Sequence, residues 1–200
     1  MQPRQQIRQQ VRHARRQLSA EQQERAAHAV MTRFMALPSV IASQHIALYL
    51  SFDGELDTAP LINACWQAGK SVYLPVVHPF SQGHLLFLHY TPTTPMQSNR
   101  YGIAEPKLDI RYLLPTHQLE VIATPLVAFD DCGQRLGMGG GYYDRTLALC
   151  AHPSATAVGL AHDCQHWGQL PTEQWDMPLP HVLTPSHHWH WSATNSRPLS

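Results

Sequence analysis

Residues Gly133 to Asp144 read GQRLGMGGGYYD, with Gly137, Gly139, Gly140 and Gly141 inside five positions. An apolar run with strand character, Val121 to Phe129 (VIATPLVAF), precedes them, and Tyr143 to Cys150 has the pattern of a helix. Glycine takes positive φ at little cost and lets backbone approach a ligand closely. A helix start offers free N–H groups and the positive end of a dipole, so strand, glycine loop and helix together suit an anion such as phosphate. Arg135 adds a cation whose fork fits phosphate oxygens. Asp144 adds a hard oxygen that can hold Mg²⁺, directly or through water. The loop is not a Walker A motif, which needs Lys-Ser/Thr after its second glycine, nor a dinucleotide fingerprint, whose third glycine is absent. Taken alone, a glycine cluster also fits a plain tight turn.

Working outward, Thr156 to Ala161 is a further strand, so the loop sits inside a βαβ unit. A second such unit lies upstream. His45 to Ser51 (HIALYLS) is a continuous apolar strand of the kind found in the middle of a parallel sheet. Gly54 marks a turn, Asp57 or Thr58 can cap a helix running to about Ala68, and Ser71 to Val77 is the next strand. This order predicts an α/β fold: a mostly parallel open sheet with helices on both faces. Glu55 falls just beyond a strand's C-terminal edge, where open α/β sheets bind ligands. It is otherwise an ordinary exposed loop acid. Leu85 to His89 is a third strand, able to form a hairpin with its predecessor. Thr91 to Gln118, with four prolines, reads as an irregular excursion with short helical turns, and Glu105 within it receives no role.

The N-terminal part predicts a helical pair. Arg4 to Leu18 places Ile7, Val11, Ala14 and Leu18 on one face. Its arginines are either a solvated face or, at Arg4 and Arg8, a pair reaching a polyphosphate. Ser19 and Gln22 form a capping box for a second helix to about Leu37. Trp175 to Pro180 leads to a short strand, His181 to Thr184, and Asp176 reads equally as a cap or a loop acid. From Ser186 the chain is His- and Trp-rich (HHWHW) and then polar, and is expected to be a flexible tail after a single domain over 1–185. Such a tract more often makes a weak, adventitious metal site than a built one.

The 200 residues carry zero formal charge, 44% hydrophobic and 14% charged residues, and the pI is about 7.3. No basic stripe points to nucleic acid, and no apolar run approaches the length of a membrane span. The N-terminus lacks a signal-peptide pattern, and the four cysteines form no CxxC. A cytoplasmic monomer acting on small molecules is the expectation.

The string Arg135-Leu136-Gly137-Met138-Gly139-Gly140-Gly141-Tyr142-Tyr143-Asp144 resembles the signature of the 5-formyltetrahydrofolate cyclo-ligase (5,10-methenyltetrahydrofolate synthetase) family. The resemblance runs from about Arg4 to about Pro185. It implies ATP-dependent conversion of 5-formyltetrahydrofolate to 5,10-methenyltetrahydrofolate, with Mg²⁺ as cofactor. It places Arg4 (where the family usually has Lys), Arg8 and Arg135 to Tyr143 at ATP, with Arg135 and Tyr143 as catalytic residues. It puts Leu50, Glu55 and Met138 to Tyr142 at the folate, and Asp144 and Asp176 at the metal. Two other classes stay open on the residues alone: a phosphosugar isomerase or acyl-CoA transferase on a similar scaffold, and a nucleotide-binding module without turnover.

Overall fold

The computed structural model describes residues 3–149 and 155–191. Helices α1 (Pro3–Arg16), α2 (Ala20–Met35) and α3 (Pro38–Ala42) precede strand β1 (His45–Ala47). There follow α4 (Ala59–Gln67), β2 (Ser71–Val77), β3 (Leu85–Tyr90), β4 (Met96–Ser98), β5 (Ala104–Pro106), β6 (Leu113–Leu114) and β7 (Val121–Pro125). The chain then runs through β8 (Ala128–Phe129), β9 (Arg135–Leu136), α5 (Tyr142–Leu149), β10 (Thr156–Leu160), β11 (His181–Leu183) and β12 (His188–His190). Cys150, the expected helix end, lies outside the described residues.

Eight strands form one sheet in the order β12-β11-β10-β7-β1-β2-β3-β6. The central pairings β11–β10–β7–β1–β2 are parallel, and the outer ones are antiparallel. Strand alternation divides the core. Ile46, Val72, Leu74, Val121, Ala123, Val158 and Leu160 face one side, with Val30, Phe34 and Leu61 from α2 and α4. Ala47, Tyr73, Ile122, Ala157 and Val182 face the other, with Leu147 of α5. A sheet covered on both faces explains why its central strands are apolar without interruption. From β1 the chain moves to β2 on one side, and β7 later returns on the other. The crevice at the strand ends between β1 and β7 is therefore the switch point where such sheets take ligands.

The local expectations hold where chemistry is local. Ser19 and Gln22 exchange the two hydrogen bonds of a capping box at 2.8 and 3.2 Å. β2 and β3 form the antiparallel hairpin. Thr58 does not cap α4 with its side chain. Its hydroxyl donates to the Tyr49 carbonyl instead, and Asp57 accepts from the Ala59 amide at 3.0 Å.

Three features differ from the sequence-based expectation. The stretch 91–118 contains the small β4–β5 hairpin as well as short 3₁₀ turns. Within the segment read as a tail, His188–His190 joins the sheet beside β11. The His-Trp alternation is strand periodicity, and it turns Trp189 and Trp191 to the second core. There Trp189 stacks on His166 at 4.6 Å, and Trp191 Nε1 donates to the Asp131 carbonyl at 2.7 Å. Residues 192–200 lie outside the described part. The third difference is in α1, whose buried stripe is Ile7, Val11 and Arg15, rather than one running through Ala14 and Leu18.

Arg15 is fully buried because Asp53, in the turn after β1, receives it. Asp53 takes Arg12 Nε at 2.6 Å, Arg16 Nε at 2.7 Å and Arg15 Nη2 at 3.4 Å on its carboxylate, and Arg15 Nε at 2.9 Å on its carbonyl. Burial opposes ionisation of this carboxyl, but the Arg12 and Arg16 hydrogen bonds outweigh it and hold it below the usual range. Asp53→Ala strands a buried guanidinium, a change that typically costs about 3–5 kcal/mol. Glu21→Ala, which removes only the exposed Arg25 pair, should cost about 0.3–0.5 kcal/mol. Urea unfolding of the two variants checks the contrast.

Candidate active site

A cavity of about 720 Å³ opens at the switch point, within the usual range for small-molecule sites. Its walls come from the ends of β1 (Tyr49, Leu50), β2 (Leu74, Pro75, Val77) and β7 (Pro125, Leu126). The glycine loop and the first turn of α5 form a further wall, and Arg4 and Arg8 of α1 another.

The glycine loop has the conformation its composition demands. Gly139 and Gly141 have φ of +106° and +66°, a region other residues enter at a cost. The Gly137 carbonyl accepts from Arg8 Nε at 2.8 Å, and the Gly140 carbonyl from Arg145 Nη1 at 2.9 Å. With these carbonyls occupied by arginines, the amides of Met138, Gly139, Gly140 and Gly141 donate to no protein acceptor among the described residues. Unpaired N–H groups beside two guanidiniums make an anion cradle. A Cβ on Gly140 would sit 2.8 Å from the Tyr142 ring, so this glycine also lets the tyrosine close over the loop.

Acids pair with the basic groups of this wall. Arg135 is 5% exposed and donates to Asp144 Oδ1 at 2.6 Å, which also accepts from the Met177 amide at 3.2 Å. Arg4 grips Asp176 with two hydrogen bonds of 2.8 and 3.1 Å, and the Glu173 amide donates to Asp176 Oδ2 at 2.8 Å. Burial and the neighbouring Arg4 lower the Arg8 pKa, against the opposing charge of Asp176.

Glu55 lines the same cavity from the turn after β1. Its Oε2 accepts from the Phe52 amide at 3.1 Å. Desolvation pushes its pKa up to about 7, against the lowering by Arg15 and this hydrogen bond. The hydroxyls of Tyr49 and Tyr143 are buried nearby without a hydrogen-bond partner. Burial, then the Glu55 charge, raises the pKa of both phenols.

The structure thus gathers Arg4, Arg8, Leu50, Glu55, Arg135, Gly137 to Tyr143, Asp144 and Asp176 around one cavity. Leu136 is placed differently: it is 1% exposed and clusters with Ile7 and Val11, so its side chain supports the loop from beneath. Two lining residues received no role from the sequence. Glu105 is buried and accepts from the Val77 amide and from Asn99 and Gln97 at 3.1–3.3 Å. Tyr101 reaches across from the β4–β5 turn to bond the Tyr142 hydroxyl at 2.8 Å. Both depend on a hairpin inside the stretch with the weakest periodicity.

The model of the 5-formyltetrahydrofolate cyclo-ligase family matches residues 1–185. The chain belongs to the 5-formyltetrahydrofolate cyclo-ligase family. It is 56% identical to the 5-formyltetrahydrofolate cyclo-ligase of Escherichia coli (strain K12) over 181 residues, 90% of this chain and 100% of that one. It is 50% identical to the Haemophilus influenzae enzyme of that name over 182 residues, 91% of this chain and 97% of the other. Among solved structures, the Aquifex aeolicus 5,10-methenyltetrahydrofolate synthetase superposes with a TM-score of 0.80 at 29% identity, covering 98% of this chain and 96% of that one. Family and relatives support 5-formyltetrahydrofolate cyclo-ligase activity for this chain. Among the described residues no helix is long and apolar enough to cross a membrane, and no group of three His, Cys, Asp or Glu residues is placed to hold a metal ion.

The Glu55 shift sets a pH dependence of stability. A carboxyl whose folded pKa is raised favours the folded state fully below its unfolded value, near 4.5, and loses that contribution as pH rises through about 7. Glu55→Gln should therefore raise the ligand-free melting stability at pH 8 by about 1–3 kcal/mol, taking about 1.4 kcal/mol per pKa unit and discounting for solvent access. At pH 4 it should change little. Melting curves at the two pH values measure this.

Proposed function

We propose that the cavity carries out the ATP-dependent cyclisation of 5-formyltetrahydrofolate to 5,10-methenyltetrahydrofolate, with ADP and phosphate as products. The observation that carries this reading is that two unlike surfaces line one cavity. One is a cradle of free amides and arginines suited to a polyphosphate, and the other is a half-buried carboxyl beside apolar strand ends, suited to a ring with N–H donors.

A formamide carbon is a poor electrophile and its oxygen a poor leaving group. In the proposed reaction the formyl oxygen attacks the γ-phosphorus of ATP, the bond to the β-phosphate oxygen breaks, and ADP departs. The resulting iminium phosphate carries a good leaving group. N10 adds to the activated carbon and loses its proton, and phosphate leaves with the C–O bonding pair to give the methenyl bridge. Transfer of this kind needs alignment and charge neutralisation rather than a protein nucleophile. The amides of Met138 to Gly141 would hold the β- and γ-phosphates. Arg135 and Arg8 would neutralise charge on the transferred group, and Tyr142 with Tyr101 would shield the loop from water. Leu50 would pack on the folate, and Glu55 would accept from its ring.

Mg²⁺ fits this wall on its donor chemistry. Asp144 Oδ1 is committed to Arg135 and Met177, which leaves Oδ2 for a hard cation. One carboxylate with substrate phosphates and water is a common Mg²⁺ set. Bound there, the ion would neutralise phosphate charge during transfer. Both oxygens of Asp176 are engaged by Arg4 and the Glu173 amide, so in this reading Asp176 orients Arg4 toward the nucleotide and reaches a metal only by releasing that arginine. A cytoplasmic monomer remains our expectation for the working enzyme.

The direct experiment mixes the protein with Mg-ATP and 5-formyltetrahydrofolate. Methenyl absorbance and inorganic phosphate should appear in equal amounts. Folate turnover without phosphate release would favour an isomerase or transferase, and ATP binding without absorbance would favour a module without turnover. Asp144→Asn should lower kcat at least tenfold and shift the Mg²⁺ titration to higher concentration. A Mg²⁺ curve superimposable on the parent's would reduce Asp144 to a partner of Arg135.

A further inference from the structure

Tyr49, in the segment leaving β1, has no part in the scheme above, yet its surroundings are unusual. The residue is 3% exposed and lines the cavity. Its carbonyl is fixed by the buried Thr58 hydroxyl, and its own hydroxyl bonds nothing. Tyr143, from α5, also lines this cavity, and its hydroxyl is likewise buried and unpartnered. Glu55 is the leading charge acting on both phenols. Folded proteins leave few buried polar atoms unpaired, because each forfeits its bonds to water. Two phenols beside one carboxyl could have satisfied each other or the acid, and here they do neither.

The groups around Glu55 define what would complete the set. Arg15 of α1, fully buried with Nη1 unpartnered, lies behind the acid and favours its ionised form. Asp53 on the same turn opposes ionisation. His162, after β10, is kept neutral by burial and by Arg15, its pKa pushed down to about 4. The ionised carboxylate only accepts hydrogen bonds, whereas a phenol can donate one. The complementary ligand edge has N–H donors beside an acceptor such as a ring carbonyl, on a ring able to pack against apolar lining residues such as Leu50. A 2-amino-4-oxo ring has this edge.

Resting on the folate reading of this site, we propose that Tyr49 is a specificity-determining residue. Its hydroxyl donates to the carbonyl of the pterin ring while Glu55 accepts from the neighbouring ring N–H groups. The missing hydrogen bond in the ligand-free protein is then the one the substrate supplies.

Tyr49→Phe removes one oxygen and keeps the ring. The affinity for 5-formyltetrahydrofolate, measured by calorimetry, should fall about three- to thirtyfold, the range for one hydrogen bond in a desolvated site. ATP affinity should stay at the parent value. The ligand-free melting temperature should hold or rise, since the change deletes an unsatisfied buried hydroxyl. A purely structural hydroxyl would behave in the opposite way. A lower ligand-free melting temperature with unchanged folate affinity overturns the proposal, as does a loss confined to ATP. If the parent protein itself binds no 5-formyltetrahydrofolate, the folate reading falls. If the parent binds and Tyr49→Phe binds equally well, only the role of Tyr49 falls.

Discussion

One carboxylate ties the two halves of the site together. Asp53 sits in a left-handed conformation, φ +54°, in the turn that carries Glu55, and it holds Arg12, Arg15 and Arg16 of α1. The other end of that helix puts Arg4 and Arg8 on the glycine-loop wall. A helix anchored at one end on the acid's turn and at the other on the anion cradle sets the distance between them. Exposed ion pairs add little to stability, but Arg15 is fully buried, so this knot specifies where α1 lies as well as adding energy. The apolar contacts of Ile7 and Val11 with Val127, Ala128 and Leu136 place the same helix against the strands that launch the loop.

Two of the three arginines lining the cavity are paired with carboxylates before any ligand arrives. Arg135 is matched by Asp144 and Arg4 by Asp176, while Arg8 leans on a backbone carbonyl. Such pairing keeps buried guanidiniums in place, since an isolated buried charge is costly. It also means that a polyphosphate must compete with carboxylates for Arg4 and Arg135, while the free loop amides face no internal competitor. In the proposed reading selectivity for phosphate rests on backbone geometry, which fits glycine at 139 and 141, where a side chain would add strain, and at 140, where it would collide with Tyr142.

The fold was legible where its signals are local or periodic. Apolar runs marked β2 and β7, the Ser19–Gln22 pair marked the start of α2, and the glycines marked the loop. What escaped depends on partners distant in sequence. Arg15 reads as a solvated cation until Asp53, 38 positions away, is brought beside it. Glu105 and Tyr101 belong to a hairpin of three-residue strands too short to carry a period. Trp189 and Trp191 were masked by histidines that suggested a ligand tract, although the alternation itself was a strand signal. The unpartnered state of the Tyr49 hydroxyl has no trace in sequence, because it is a property of what is missing around an atom.

The proposed reaction requires the two walls to act on one pair of reactants. The measurement that tests this most directly is a crystal structure with a non-hydrolysable ATP analogue, Mg²⁺ and 5-formyltetrahydrofolate bound together. The γ-phosphate should lie within hydrogen-bond distance of the amides of Met138 to Gly141, facing a formyl oxygen on a ring held at Glu55. A nucleotide seated away from the glycine loop, or a folate ring turned away from Glu55, would contradict it.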